Sequence, residues 1–280
     1  MPVETKEITD WSWVNYQREL ALSRGTCANG WREYSPSHQS CRGYHAAFPF
    51  LQELELVSGP GSHLEFYTGA LQAISGPDKP ILVCGLATPL MAIVAHQACP
   101  ESPMTILDIC PTPLLACKEA LPKTAGYTLI QQDARNLDLG GSRVSAVVTD
   151  AFLTRFDDSE RKIVLKRMEN VLAPGGALVT TWKIGDGKGS PDALHYGDDL
   201  ARREFIENVV KQARARNYHL TMDLLSEAFD YAQTMTSFGG QTLDQVGAEL
   251  REFFPDVRLE TSPPVYDVTM REYARIIAYK

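Results

Sequence analysis

Small residues separate an apolar run from a helical one in Ile81-Leu82-Val83-Cys84-Gly85-Leu86-Ala87-Thr88-Pro89-Leu90. At such a turn Gly85, Ala87 and Thr88 let a ligand approach the backbone closely. Asp108 stands at the end of the next apolar run, about 20 residues further on, where a carboxylate can accept both hydroxyls of a ribose. Its competing role is to cap the following helix, a task that Thr112-Pro113 can take instead. Asp133, in Leu-Ile-Gln-Gln-Asp-Ala-Arg-Asn-Leu, ends a third run. Beside the N–H of Ala134 it could receive an adenine amino group and a ring nitrogen. Asp150 ends a fourth run, next to Ala151, and is the first candidate for acceptor binding or general base catalysis. An N-cap or a buried ion pair would occupy it equally well.

These residues need a scaffold that brings strand ends together. From Lys79 to Gly185 short apolar runs alternate with amphipathic segments: PILVCGLA, MTILDIC, YTLIQQDA, VSAVVTDAFL and GALVTTWKI, with helical spacing between them. Continuously apolar strands alternating with helices indicate a parallel sheet covered on both faces. Leu172-Ala173-Pro174-Gly175-Gly176 reads as a helix stop and a tight turn before the fifth strand. The final runs, VRLETS and EYARIIAYK, fit a hairpin added to that sheet.

The flanking regions differ in texture. Residues 1–78 show helical runs and no strand, and end in the Gly76-Pro77 turn; residues 186–252 are helical again. The expected organisation is a helical cap over 1–78 and an α/β domain over 79–280 with a helical insertion at about 186–252. Both covers are rich in aromatics: Trp11, Trp13, Tyr16, Trp31, Tyr34 and Tyr44, then Tyr196, Phe229 and Tyr231. Such rings pack a cap onto a core, or steady a cation and stack on a flat acceptor. Tyr16, His63, Tyr67 and Trp182 are the ones to test first. His38, His45, His63 and His195 could act as base or hydrogen-bond partner, whereas His96 sits in an amphipathic helical stretch.

The chain of 280 residues has a net charge of -8 and no Lys/Arg run, which argues against nucleic acid as partner. No apolar stretch approaches the roughly 18 residues of a membrane span. The N-terminus MPVETKEITDWSW is polar and acidic, unlike a signal or transit peptide. Cys27, Cys41, Cys84, Cys99, Cys110 and Cys117 form no C-x-x-C pair and have no histidine at zinc-site spacing. They read as reduced cytosolic thiols, and no metal is expected.

Together VCGLATPL, LDICPTPL, QQDARNL, VVTDAFLTRF and LAPGGALV resemble the class I S-adenosylmethionine-dependent methyltransferases, over roughly residues 79–185. The resemblance implies a Rossmann-like three-layer α/β sandwich around a seven-stranded, mostly parallel sheet with the last strand antiparallel. It implies S-adenosylmethionine as cofactor: Asp108 on the ribose, Asp133 with Ala134 on the adenine, and Gly85 with Ala87 at the methionine end, with Thr88 and Ile109 also cofactor-binding. Asp150, Ala151 and Tyr67 would complete the cofactor site, and Asp150, Tyr16 and His63 would be the catalytic candidates. The expected acceptor is a small organic molecule of specialised metabolism, and the expected state a cytoplasmic monomer or homodimer.

The family's first loop carries an acidic residue before G-x-G-x-G, whereas Cys84 precedes Gly85-Leu86-Ala87-Thr88 here. This departure leaves room for an enzyme that consumes S-adenosylmethionine differently, by aminobutyrate transfer or by cyclisation to azetidine-2-carboxylate. A catalytically silent cofactor-binding protein is a further alternative. A nicotinamide-dependent oxidoreductase is disfavoured, because the pyrophosphate-binding glycines are missing.

Overall fold

Five apolar runs pair side by side as parallel strands: β1 (Ile81–Cys84), β2 (Met104–Asp108), β3 (Tyr127–Gln131), β4 (Val144–Asp150) and β5 (Leu172–Ile184). The structure is a computed structural model and describes residues 12–27, 41–187, 194–195, 199–234, 236–263 and 272–280. A short two-stranded ladder pairs β6 (Leu194–His195) with β7 (Thr236–Ser237). The terminal hairpin is β8 (Asp256–Thr261) and β9 (Glu272–Tyr279). The sheet order is β3-β2-β1-β4-β5-β9-β8, with β9 antiparallel to both neighbours. This is the Rossmann-like, mostly parallel seven-stranded sheet that the resemblance implies.

The sheet is covered on both faces, and the side-chain alternation of a strand decides which residues meet which cover. Val83, Ile106, Val148 and Val179 face α3 (Leu64–Ile74), α4 (Leu90–Ala98) and α5 (Pro111–Ala120). Leu82, Leu107, Val147 and Leu178 face α6 (Asp158–Val171) and, beyond α7 (Asp199–Ala215) and α8 (Met222–Thr234), α9 (Leu243–Leu250). β1 and β4 sit in mid-sheet and are buried almost throughout; β3 and β8 form the edges and alternate with exposed positions. A third apolar cluster lies away from the sheet. In it Val14 of α1 (Ser12–Leu22) and Phe50, Leu51 and Leu54 around α2 (Arg42–Glu53) meet Phe205, Val209 and Leu224 of α7 and α8.

Two local features depart from the sequence reading. The Leu172–Gly176 stretch is drawn into β5 rather than standing before it. Pairing with β4 jumps from Val144–Leu172 to Ala146–Ala177, so the extra residues bulge where Gly175 takes φ +75°. Backbone bonds with Lys280 on both sides of the bulge hold it in the ladder. The β6–β7 ladder likewise lies within the stretch expected to be helical.

Candidate functional site

The strand order reverses between β1 and β4, and at such a switch point the loops leaving neighbouring strands part to leave a crevice at their carboxyl ends. Gly85 leaves β1 with φ +71°, a conformation open to glycine, and a Cβ there would stand 2.3 Å from the Phe152 ring. The backbone is therefore bare where it turns under the crevice. Asp108 ends β2 and is buried; its Oδ2 accepts the Leu86 N–H and its Oδ1 the Cys110 N–H, each at 2.7 Å. Burial pushes its carboxyl up to about 7, although the His45 charge and the two N–H groups favour the ionised form. The Cys110 N–H that Asp108 accepts belongs to the N-cap residue of α5, whose own side chain makes no cap bond.

A pocket opens over these strand ends, with an enclosed cavity of about 80 Å³. Gly85, Leu86, Ala87, Thr88 and Asp108 form one side, and Asp150, Ala151 and Phe152 the next. The cover supplies Tyr44, His45 and Phe48 from α2, then Val57, Ser58 and Pro60. Arg155, Lys183, Ser237 and Tyr273 close the remainder.

Asp150 is held from below. The Tyr67 hydroxyl donates to its Oδ1 at 2.7 Å, and the Thr181 hydroxyl donates to the same oxygen at 2.6 Å. Thr181 in turn accepts the Ala151 N–H at 3.0 Å, fixing the left-handed residue that follows the strand. Burial first, and then the Asp150 charge, keep the Tyr67 phenol well above its ordinary range, so it stays a donor. Tyr67→Phe is expected to lower unfolding free energy by about 1.5–3 kcal/mol, the net worth of a hydrogen bond to a charged group. Chemical denaturation of the variant beside the wild type measures it.

Of the residues singled out in the sequence, the pocket gathers Gly85, Ala87, Thr88, Asp108, Asp150 and Ala151, and also His45. Tyr67 is fully buried behind Asp150. His63 lies one layer out, with Nε2 3.2 Å from the hydroxyl of pocket-lining Ser58 and its buried Nδ1 lacking a hydrogen-bond partner. Burial lowers its pKa, against the opposing pull of Asp150. Ile109 uses its carbonyl to accept from Gln131, and Ala134 is buried in the core. Asp133 grips Arg135, accepting the guanidinium on both oxygens. Tyr16 is half-buried in α1 with the Arg24 guanidinium 5.5 Å over its ring. Trp182 belongs to the core on the other face of the sheet, beneath Arg161. His96 is half-buried in α4. Trp11, Trp31, Tyr34, His38 and Tyr196 lie outside the described residues, as do the side chains of Trp13, His195, Phe229 and Tyr231.

Sequence reasoning missed Phe152, Arg155, Lys183 and Tyr273. A signal existed for the first two, which follow Asp150 within one turn of chain. Lys183 and Tyr273 face each other across β5 and β9, with the Lys183 ammonium 5.9 Å from the Tyr273 ring centre, and only the strand pairing reveals that.

The sequence of residues 81–176 matches the family described as "Methyltransferase domain". Residues 81–176 are thus similar to a methyltransferase domain. The domain runs from the first residue of β1 to the bulge in β5, and so contains Gly85, Asp108 and Asp150 but none of the cover. No curated protein matches the chain. Among solved structures, human N-acetylserotonin methyltransferase in complex with SAM is similar in fold (TM-score 0.53, 15% identity), over 95% of this chain and 66% of that one. The plantazolicin methyltransferase BpumL in complex with SAH superposes with TM-score 0.53 at 12% identity, over 96% and 99%. A possible exported protein of Bordetella parapertussis gives 0.51 at 20% identity, over 96% and 94%. Around the methyltransferase domain these likenesses speak for the fold alone, since all lie far below the identity at which function carries over. Among the described residues no helix is long and apolar enough to cross a membrane.

Proposed function

We propose that the chain binds S-adenosylmethionine in this pocket and transfers its methyl group to a small organic acceptor. The observation that carries the reading is Asp108: a buried carboxylate at the end of β2, fixed by two backbone N–H groups and facing the pocket. Those two bonds use about half of a carboxylate's roughly four lone-pair sites, which leaves acceptors for the two hydroxyls of a ribose. The bare backbone at Gly85 suits the same ligand, because a side chain there would fill the cradle.

In this reading Gly85, Ala87 and Thr88 lie along the methionine end and Asp108 with Ile109 along the ribose. Asp133 is committed to Arg135, so the adenine edge falls to the backbone at Ala134. When bound, the cofactor supplies an electrophilic methyl group on a sulfonium. The protein's own part is to position the nucleophile and exclude water. Tyr44, Phe48 and Tyr273 supply aromatic lining to the pocket, with Arg155 over the Tyr44 ring and Lys183 over the Tyr273 ring. Asp150 is the base or acceptor anchor: its bonds from Tyr67 and Thr181 both fall on Oδ1, so Oδ2 meets an acceptor's proton. His63 would act only through Ser58, and Tyr16 lies off the pocket walls. Lys183 and Arg155 bring cations into the pocket lining, which favours an acceptor carrying a carboxylate. Residues 1–78 and 186–252 act together as the cover, and the six cysteines, all thiols, suit a reducing cytoplasm.

The test is incubation with S-adenosylmethionine, first alone and then with acids, phenols and amines, followed by mass spectrometry. S-adenosylhomocysteine with a methylated product supports the proposal. Methylthioadenosine formed without an acceptor replaces methyl transfer by the aminobutyrate or azetidine reading. Micromolar binding with the cofactor left intact under every acceptor points to a silent binder, and no binding at all refutes the cofactor assignment.

A further inference from the structure

Three cysteines and one histidine, far apart in the chain, converge where the cover meets the sheet. Cys27 follows α1; Cys41 caps the N-terminus of α2; His45 stands one turn into α2; Cys110 caps the N-terminus of α5. Cys41 and His45 are spaced i,i+4, so both side chains project from one helical face. The four ligand atoms all lie within 4.8 Å of one another. Cys41 Sγ is 3.5 Å from Cys110 Sγ, and Cys27 Sγ is 3.6 Å from His45 Nδ1. A tetrahedral zinc ion with Zn–S near 2.3 Å and Zn–N near 2.0 Å spaces its ligand atoms about 3.5–3.8 Å apart. The cluster needs little adjustment to close around one ion.

Packing does not account for this group. Cys84, Cys99 and Cys117 are the thiols that serve as small apolar residues, each within one of the two cores flanking the sheet. None of the four clustered residues belongs to the three contiguous apolar clusters, although Cys41, His45 and Cys110 are almost wholly buried. Cys41 and Cys110 each occupy a helix N-cap position, and neither side chain is used in a cap bond, which leaves both sulfurs for another partner. The thiolate is the form that binds metal.

We propose that Cys27, Cys41, His45 and Cys110 bind one Zn²⁺ in a closed Cys₃His site. Each thiol gives up its proton to solvent and donates a sulfur lone pair, and the neutral imidazole donates through Nδ1. The bound centre therefore carries one net negative charge. Four protein ligands leave no open position, so the ion is structural and ties the cover to the start of α5. Cys110 lies two residues beyond Asp108 and donates its N–H to that carboxylate, so the ion also stiffens the pocket wall.

The test is metal analysis of the full chain purified without chelator, together with titration of the apoprotein by Co²⁺. One equivalent of zinc is expected, and the Co²⁺ protein should show thiolate-to-metal charge transfer with the intense ligand-field bands of tetrahedral coordination. Cys27→Ser, chosen because Cys27 is partly exposed, should lose or sharply weaken both signals, whereas Cys99→Ser should keep them. Circular dichroism of both variants separates lost ligation from lost folding. Should Cys27→Ser fail to fold, the wild-type metal content and cobalt spectrum decide alone. Substoichiometric zinc with only weak octahedral cobalt bands overturns the site. So does a Cys41–Cys110 disulfide in the protein isolated under reducing conditions.

Discussion

Asp108→Asn is expected to weaken S-adenosylmethionine binding roughly 100-fold in calorimetric titration. A hydrogen bond to a charged group is worth about 1.5–3 kcal/mol, and two ribose hydroxyls would lose a charged acceptor together, while about 1.4 kcal/mol is tenfold in affinity. The amide keeps the shape of the side chain but has one oxygen for the Leu86 and Cys110 N–H groups, so part of the loss comes through the loop. The wild type carries a pH signature that the variant lacks. Its carboxyl titrates near 7 because burial disfavours the charge, and the ionised form is the one that accepts two hydroxyls. Affinity should therefore rise with pH between 6 and 8 and level off above, and the Asn variant should be flat. Wild-type affinity independent of pH over that window would remove Asp108 from the ribose.

Gly85→Ala should abolish measurable cofactor binding and lower the melting temperature. A β-carbon at φ +71° costs about 1–2 kcal/mol in backbone strain alone. It would also stand 2.3 Å from the Phe152 ring, which has to leave its edge-on contact with Phe156 to make room. Gly85→Ala combined with Phe152→Ala relieves the collision but keeps the strain, so binding should return only in part. The discriminating measurement is ligand-induced thermal shift across the wild type, the single variants and the double variant. A Gly85→Ala protein that binds as well as the wild type would mean that the ligand does not lie against this loop.

The legible parts of the site are those that strands dictate. An apolar run that ends in Asp108 or Asp150 places the carboxylate at a strand's carboxyl end, and parallel pairing then collects the ends at one edge. Asp133 stands where the pattern puts it, yet Arg135, two residues on, holds its carboxylate. The spacing contained that arginine but not the direction of its side chain. The cover was harder still. Helical periodicity shows that α2 has an apolar face, which its Phe50 and Leu51 bear out, but not that Tyr44, His45 and Phe48 overhang Gly85. His63 and Tyr67 sit four apart across a helix start, and their shared orientation toward Asp150 and Ser58 follows from packing alone. The cysteine–histidine cluster left no trace in linear spacing, because its members are joined by the docking of α1 and α2 onto α5.

The place of β9 has a consequence for how the protein is made. It lies between β5 and β8, so the strand synthesised last in the sheet fills an interior gap, not an edge. Until it arrives, β5 presents an open row of amide groups, and Leu178 and Trp182 lack the neighbours that Ala274, Ile276 and Ala278 bring. On the ribosome the open edge of β5 therefore persists from its completion at Ile184 until Glu272 begins β9, with sheet closure left to the terminal hairpin.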